Sequence, residues 1–459
     1  MSGFGTPFAG QRFAVVGLGR NGVPAARALR LMGADVTAWD DNGRDVPDLR
    51  ALGISLRDPA PDMAGFDALV LSPGIPHRLP RPHAAAAAAA AAGIPVLSDA
   101  DLLFRAVRAA GSRARFAGIT GTNGKSTTTA LLTHILSGCG VPAAAGGNLG
   151  KAALALPLLP DDGVYVLEMS SYMLERLQAL RFDAAAMLNL SPDHIDRHGD
   201  MAGYTAAKRA IFDRREPGDA AVLGIDDAGS RAMAATLLGG VTISGQTLAD
   251  VWCDRGVLRD RAGPLIAMAE ARALPGAHNA QNAAAAAALA AALGVGREPI
   301  ATGIRTFPGL PHRQSLAATV HGVRYVNDSK ATNADAAARA MGCYDRFVWI
   351  AGGMAKEGGI TSLAPWFDRV AHALLIGRDA PLFAATLRGA GVPHTVVGTL
   401  ENAVPEAARL ARSLAAPVVL LSPACASWDQ FTGFEQRGER FAALAGALAP
   451  ADTAERSAA

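Results

Sequence analysis

The sequence predicts an α/β protein in three domains, over residues 1–112, 113–309 and 310–459. Three observations carry that expectation. Apolar runs of strand length alternate with helical stretches, which is how parallel βαβ units read in a sequence. Two of those runs lead straight into glycine-rich turns that open helices, at residues 17–22 and 121–127. Several other runs end in loops crowded with amide, hydroxyl and charged side chains. A chain of 459 residues has length for about three domains and can bury its cores without staples.

Composition narrows the function classes. Lysine and arginine total 43 against 41 aspartates and glutamates, and the net charge of +2 argues for neither nucleic acid nor an anionic membrane surface. Cys139, Cys253, Cys343 and Cys425 are scattered without a C-x-x-C pair, which fits a reducing compartment and neither a disulfide framework nor a zinc site. No charged segment followed by an apolar stretch marks a secretory signal, and apolar runs such as 418–421 are too short to span a bilayer. The expectation is a soluble, cytoplasmic protein with no membrane insertion. The alanine-rich stretches 84–92 and 282–293 read as helices, stopped by Gly93-Ile94-Pro95 and by Gly294.

In the first domain a strand at 13–16 enters Gly17-Leu18-Gly19-Arg20-Asn21-Gly22, a helix follows over 25–32, and a second strand at 36–39 ends in Asp40-Asp41. This is the G-x-G-x-x-G turn of a Rossmann-like domain, with a carboxylate about twenty residues further on. The geometry suits any diphosphate-linked ribose. Asp40 reads either as a ribose contact or as a turn residue. A third strand, 68–71, ends in Ser72-Pro73-Gly74-Ile75-Pro76, at the strand terminus where open α/β sheets bind ligands.

The central domain opens with a strand at 115–119 and the loop Gly121-Thr122-Asn123-Gly124-Lys125-Ser126-Thr127. Backbone N–H groups and a helix N-terminus converge there, suited to phosphate. Lys125 would reach the terminal phosphates, and the Ser126 hydroxyl a magnesium ion. The strict P-loop pattern fails, because Ile119 stands where its first glycine belongs. Asn148 follows Gly146-Gly147 in a loop too rich in glycine for a plain connector. A strand at 164–167 delivers Glu168 to the same edge, where an NTPase needs a metal ligand.

A strand over 184–190 then leads into Ser191-Pro192-Asp193-His194-Ile195-Asp196-Arg197-His198. His194 reads either as a metal ligand or as a strand-end hydrogen bonder. Lys208 falls on a helix over 203–212 and, by itself, reads as a solvated helix lysine. Asn279 and Asn282 lie three apart where the alanine-rich helix opens, placing both amides on one face. Paired amides offer adenine donors and acceptors together; the plainer reading is an N-cap asparagine with a polar neighbour.

The third domain begins near Leu310-Pro311-His312-Arg313. Its strands at 323–326, 348–350 and 418–421 end respectively in Asn327-Asp328-Ser329-Lys330-Ala331-Thr332-Asn333, Ala351-Gly352-Gly353-Met354-Ala355-Lys356 and Ser422-Pro423-Ala424-Cys425-Ala426-Ser427-Trp428. In a parallel sheet all three loops share one edge and together read as a site. The tail after Gly446 reads as frayed.

These segments together resemble the Mur ligases, over about residues 12–445. The resemblance rests on the phosphate loop, Glu168-Met169-Ser170-Ser171, the 189–198 segment, and the loops at 327–333 and 422–427. Those last two loops, joined to the N-terminal glycine turn, resemble the branch that adds D-glutamate to UDP-N-acetylmuramoyl-L-alanine in peptidoglycan synthesis. What the resemblance implies is an ATP-dependent ligase working through an acyl phosphate, as a monomer without a nucleic-acid partner. It implies two magnesium ions, one on Ser126 and Glu168 and one on His194. It also implies a CO₂-derived carbamate on Lys208 that supports the second ion, which reverses the solvated reading of that lysine.

By the same matching, the 121–127 loop, Asn279, Asn282, Arg313 and Asp328 would contact ATP. Lys330, Thr332, Lys356, Ser427 and Phe434 would surround the incoming glutamate. The uridine diphosphate end would sit on Gly19, Arg20, Asn21, Asp40, Ser72, Pro73, Gly74 and Asn148.

The sequence departs from the family pattern at Trp428, where leucine is frequent, at Gln314, where an aromatic is usual, and at Asp41-Asn42, where some members have Thr-Arg. That pair leaves the uridine contact at Asn42 open, with Arg44 as a substitute. Rival readings are a folate-extending or other amide ligase, an NAD(P)-dependent oxidoreductase, and a nucleotide binder without catalysis. The N-terminal domain argues against the folate-extending reading, the oxidoreductase reading leaves Lys125, Glu168 and the third domain without work, and the last lacks a reason for an intact Lys125, Ser126, Glu168 and His194.

Overall fold

The computed structural model describes residues 3–148, 150–356 and 358–448, which form three sheets. Leu149 of the Gly146–Gly150 loop and the tail from 449 onward lie outside the described residues.

The first sheet holds β1 (Arg12–Val16), β2 (Asp35–Trp39), β3 (Ser55–Leu56), β4 (Ala68–Leu71) and β5 (Val96–Leu97). Its order is β3-β2-β1-β4-β5, every pair parallel. The strand order reverses at β1, between β2 and β4, so their C-terminal ends open a crevice. The helix Gly22–Leu31 starts on the last glycine of the turn, where a Cβ would overlap the Gly17 carbonyl oxygen. That close approach is why the third glycine of the fingerprint has no side chain. The alanine run forms a helix over Ala84–Ala92 as expected, capped by His83 Nδ1 accepting from the Ala85 N–H at 3.1 Å and ended by Gly93 at φ 69°.

The second sheet runs through β6 (Arg115–Thr120), β7 (Ala143–Gly147), β8 (Val164–Glu168), β9 (Ala184–Met187), β10 (Ala220–Gly224), β11 (Val241–Ser244), β12 (Val251–Asp254), β13 (Val257–Asp260) and β14 (Gly263–Ala267). Its order is β14-β13-β12-β11-β10-β9-β6-β8-β7, and only the β12–β13 and β13–β14 pairs are antiparallel. The strand expected over 184–190 stops at Met187. Leu188 N–H still bonds the Thr120 carbonyl at 3.0 Å and the Asn189 carbonyl accepts from the Thr122 N–H at 2.9 Å, while the Asn189 side chain also bonds the phosphate loop. The helix expected over 203–212 is α-helical over Met201–Arg209, with Asp200 accepting from the Gly203 N–H at 2.7 Å, and closes in a 3₁₀ turn over Ala210–Phe212. The second alanine-rich helix, Ala277–Ala292, begins earlier than its alanines and packs against the helix Lys125–Gly138 and strands β10, β11 and β12. Small side chains allow that approach on several sides at once.

The described residues group into two compact units, one drawn from Met1–Arg272 and Ala277–Phe307, the other from Ala273–Gly276 and Pro308–Ala459. One apolar cluster, including Leu29, Val70, Leu103, Phe116, Tyr165 and Leu167, runs through both sheets of the first unit. Each such side chain contributes about 1.5–3 kcal/mol when fully buried, so the two sheets share a substantial core.

The second unit holds β15 (Ser315–Val320), β16 (Val323–Asn327), β17 (Phe347–Gly352), β18 (Val370–Ile376), β19 (His394–Gly398) and β20 (Val418–Leu421), in the order β15-β16-β20-β17-β18-β19. Strands β16, β20 and β17 are adjacent and parallel, so the three loops singled out in the sequence do share one edge.

Candidate active site

In the first unit the strand order of the second sheet also reverses at β6, which lies between β8 and β9. The phosphate loop leaves β6, Glu168 ends β8, and Asn189 follows β9, so the three meet at one sheet edge. Gly124 sits at φ 85° as the N-cap of the helix Lys125–Gly138, and a Cβ there would overlap Asn282 Oδ1. Only glycine satisfies both demands. Asn189 holds the loop in shape, accepting from the Asn123 N–H at 2.9 Å, and Thr122 Oγ1 accepts from the Ser191 N–H at 3.1 Å.

Two ammonium groups converge on one carbonyl. Lys125 Nζ donates to Gly121 O at 3.0 Å and Thr122 O at 2.9 Å, and Lys208 Nζ donates to Gly121 O at 2.9 Å. Lys208 is buried, with its Nζ 4.7 Å from the Tyr204 ring centroid. Burial first and the Lys125 cation second push its pKa well below the usual lysine range, against the pull of Asp193 and Glu168. The solvated reading of Lys208 is thereby overturned. Helical periodicity places a residue on a face but does not show what that face packs against.

Glu168 is 2 % exposed, and its Oε1 accepts from Asn148 Nδ2 at 2.6 Å. Its Oε2 has no hydrogen-bond partner among the described residues. A buried carboxylate oxygen left unpaired is costly unless a cation completes it, so the position fits a divalent ion. No three His, Cys, Asp or Glu side chains among the described residues group as a metal site. Ser126 lies buried in the first turn of the helix. His194, at φ 53°, has its ring 5.1 Å from that of Tyr172, and burial pushes its pKa down.

At the crevice of the first sheet a cleft of about 500 Å³ is lined by Gly17, Gly19, Arg20, Asn21, Asp40 and Ser72 together with Pro73 and Asn148. Asp40 uses its carboxylate on the turn, accepting from the Leu18 N–H at 2.7 Å and the Asn42 N–H at 3.1 Å. Burial opposes its ionisation, but those N–H groups and Arg44 outweigh it and hold the pKa below the usual range. Arg44 Nη1 donates to Leu18 O at 2.7 Å, so it braces the same turn.

In the second unit, Ser422 Oγ donates to Asp328 Oδ2 at 2.7 Å and the Gln314 N–H to Oδ1 at 3.2 Å. Met354 and Ala426 exchange backbone hydrogen bonds of 2.8 and 3.0 Å, which ties the loop carrying Lys356 to the one carrying Ser427. Lys330 Nζ lies 3.7 Å from the Phe434 ring centroid. Ser427 is buried, Thr332 half-buried, and Lys356 and Trp428 are exposed.

Residues 119–290 match the Mur ligase middle domain. Over 444 residues the chain is 50 % identical to the UDP-N-acetylmuramoylalanine–D-glutamate ligase of Paramagnetospirillum magneticum, covering 95 % of this chain and 96 % of that protein. The chain belongs to the Mur ligase family. The Caulobacter vibrioides and Rhizobium meliloti ligases of the same name are 46 % and 44 % identical, each over 456 residues and 96 % of this chain, with 97 % and 98 % of those proteins covered. Among solved structures, MurC of Thermotoga maritima shares the fold with a TM-score of 0.61 at 17 % identity, covering 95 % of this chain and 99 % of that one. MurF of Acinetobacter baumannii does so with 0.58 at 19 %, covering 96 % and 91 %.

For a Mur ligase the first unit brings together most of what the sequence singled out there: Lys125, Ser126, Glu168 and Lys208 around the loop, and the cleft residues around Asn148. Asn282 Nδ2 donates to Asn279 Oδ1 at 3.0 Å, so the two amides share a face as expected and bond each other. Gln281, on the same turn, carries no motif in the sequence. Gln281 is buried, accepts from Asn189 Nδ2 at 3.1 Å, and leaves its Nε2 without a partner among the described residues. Tyr204 was missed as well; its hydroxyl lies 3.2 Å from Thr122 Oγ1. It stands four residues before Lys208, one helical turn away, and that spacing was the available signal.

Asp328 offers a pH test. Burial raises its pKa from 3.8 to about 7, with the Ser422 hydroxyl, Arg313 and the Gln314 N–H opposing. Between those values the folded state keeps a proton that the unfolded state has lost, so stability falls as pH rises through that window and levels off above it. The expected slope for this group is at most about 1.4 kcal/mol per pH unit. Asp328→Asn should flatten that part of the thermal-midpoint profile of the ligand-free protein between pH 5 and 7. Parallel profiles for variant and wild type would refute the assignment.

Proposed function

We propose that this Mur ligase adds D-glutamate to UDP-N-acetylmuramoyl-L-alanine with ATP, in peptidoglycan precursor synthesis. For the substrates, the supporting observation is near-full-length identity to relatives named for that reaction. For the chemistry, it is the convergence of half-buried Lys125 and buried Lys208 on the Gly121 carbonyl, with buried Glu168 ending the neighbouring strand. The substrate carboxylate attacks the γ-phosphorus and ADP leaves. The amine of glutamate attacks the resulting acyl phosphate, loses a proton, and inorganic phosphate departs.

Most of this catalysis is positioning and charge neutralisation. The N–H groups of residues 121–127 and the helix N-terminus cradle the phosphates, and Lys125 swings from its carbonyl contacts to the β and γ oxygens. Ser126 and Glu168 would hold one magnesium and His194 a second, and such ions neutralise the charge that builds on the transferred group. Lys208 adds CO₂ as a neutral amine, giving a carbamate and releasing one proton; its buried, cation-flanked place supplies that neutral amine. Asn279, Asn282, Arg313 and Asp328 bind the nucleotide. Lys330, Thr332, Lys356, Ser427 and Phe434 receive the glutamate, with Lys356 for its side-chain carboxylate. Gly19, Arg20, Asn21, Asp40, Ser72, Pro73, Gly74 and Asn148 hold the uridine diphosphate, Asp40 by shaping the turn.

The domain boundaries we assign are 1–112, 113–309 and 310–459. Among the described residues no helix is long and apolar enough to cross a membrane, and we place the enzyme in the cytoplasm as a monomer. The test is phosphate release with UDP-N-acetylmuramoyl-L-alanine, ATP and magnesium, with D-glutamate, L-glutamate or L-lysine supplied separately. Turnover that depends on D-glutamate alone is expected, and its absence refutes the proposal.

A further inference from the structure

Arg176 lies outside every loop that the family resemblance singled out, yet it spans the two sheets of the first unit. Arg176 is 3 % exposed, and its guanidinium donates to three main-chain carbonyls at the end of β4 and in the loop after it: Leu71 O at 3.0 Å, Ser72 O at 3.4 Å and Ile75 O at 2.6 Å. No carboxylate pairs with it among the described residues, and its Nε has no partner. Burial pushes its pKa down to about 10, with Arg197 adding to the shift and Glu175 opposing it. An apolar side chain would fill the space without that desolvation cost, so the charge calls for a reason beyond packing.

Both ends of this link are fixed. On the Arg176 side, the fully buried Asp101 accepts from the N–H groups of Gln178, Ala179 and Leu180 at 2.9, 2.7 and 2.8 Å, and the Ser98 N–H bonds the Arg176 carbonyl at 3.3 Å. Arg176 follows Glu168 by two turns of chain, through the short helix Ser171–Leu174. On the far side, Ser72 Oγ donates to Gly17 O at 2.6 Å, and Ile75 packs so close to Gly17 that a Cβ there would meet its Cδ1 at 2.6 Å. Gly17, Ser72 and Ile75 all line the 500 Å³ cleft, whereas Arg176 does not. A second tie runs parallel: Arg197, three residues after His194, donates to Gly74 O at 2.7 Å and Leu79 O at 3.2 Å.

We propose that Arg176 is a positioning residue for the nucleotide-sugar substrate, bolting the loop that walls the diphosphate cleft to the strand end that carries Glu168. It thereby sets the reach between the bound diphosphate and the carboxylate to be activated. A misplacement of about 1 Å is enough to cost about a hundredfold in rate, so such a link has leverage without touching the substrate. The inference rests on the reading of that cleft as the uridine diphosphate site.

The test uses Arg176→Met and Arg176→Lys in the full chain, with UDP alone as the probe in calorimetric titration, followed by steady-state kinetics. Arg176→Met should weaken UDP binding and raise the KM for UDP-N-acetylmuramoyl-L-alanine by about tenfold or more, with the KM values for ATP and D-glutamate within about twofold of wild type. Arg176→Lys keeps the charge but reaches fewer carbonyls, and should fall between. If Arg176→Met does not melt cooperatively, Arg176→Lys decides by the same split. Wild-type UDP affinity in a folded variant, or equal rises in all three KM values, overturns the proposal. A wild-type chain that binds no UDP overturns the reading of the cleft itself.

Discussion

Lys208→Ala is expected to lower D-glutamate-dependent phosphate release by about 10²–10³-fold, the usual cost of removing one preorganised charge from a transition state. Added bicarbonate, acetate or formate should restore part of that rate, because a small acid can occupy the space vacated by a carbamate and carry the same charge. Lys208→Arg should be as impaired as the alanine variant and gain nothing from the acids, since a guanidinium stays cationic and does not take up CO₂. The physical basis is the burial of Lys208 beside Lys125, which disfavours a second ammonium on the Gly121 carbonyl. A fully active alanine variant, or one that no small acid improves, would sink the carbamate.

Glu168→Gln should be the other severe loss, again about 10²–10³-fold in kcat. The amide keeps the size of the side chain and a contact with Asn148, but gives up the anionic oxygen that has no partner among the described residues. Two readouts separate a metal role from a structural one. The magnesium concentration giving half-maximal activity should rise, and the thermal midpoint of the ligand-free variant should stay level or increase, because a buried unpaired charge has been removed. An unchanged magnesium dependence would place the metal elsewhere.

Much of the architecture is legible because each functional loop follows a strand that is strongly apolar and short. β6, β8, β16, β17 and β20 were all visible as runs, and once parallel pairing is assumed their C-terminal ends must share an edge. Residues 188–190 are the informative departure: apolar enough to extend β9, they leave the regular ladder, and both the main chain and the side chain of Asn189 bond the phosphate loop. Local pattern does not register a side chain that competes for a distant backbone.

The class of chemistry is written locally along the chain: a phosphate loop carrying Lys125 and Ser126, a carboxylate at the end of β8, and a glycine turn with its trailing acid. These features are short-range, set by residues close enough along the chain to share one turn or strand end. The electrostatics arise from packing. By helical periodicity alone Lys208 reads as a surface lysine, whereas the packed helix sets its Nζ on Gly121 O. Asp40 reads either as a ribose contact or as a turn residue, and packing shows its oxygens accepting from the Leu18 and Asn42 N–H groups. Arg176 carries no signal at all until the carbonyls of Leu71, Ser72 and Ile75 are brought to it from about a hundred residues away. Burial and charge proximity depend on which faces pack together, and a one-dimensional pattern of residues does not contain that information.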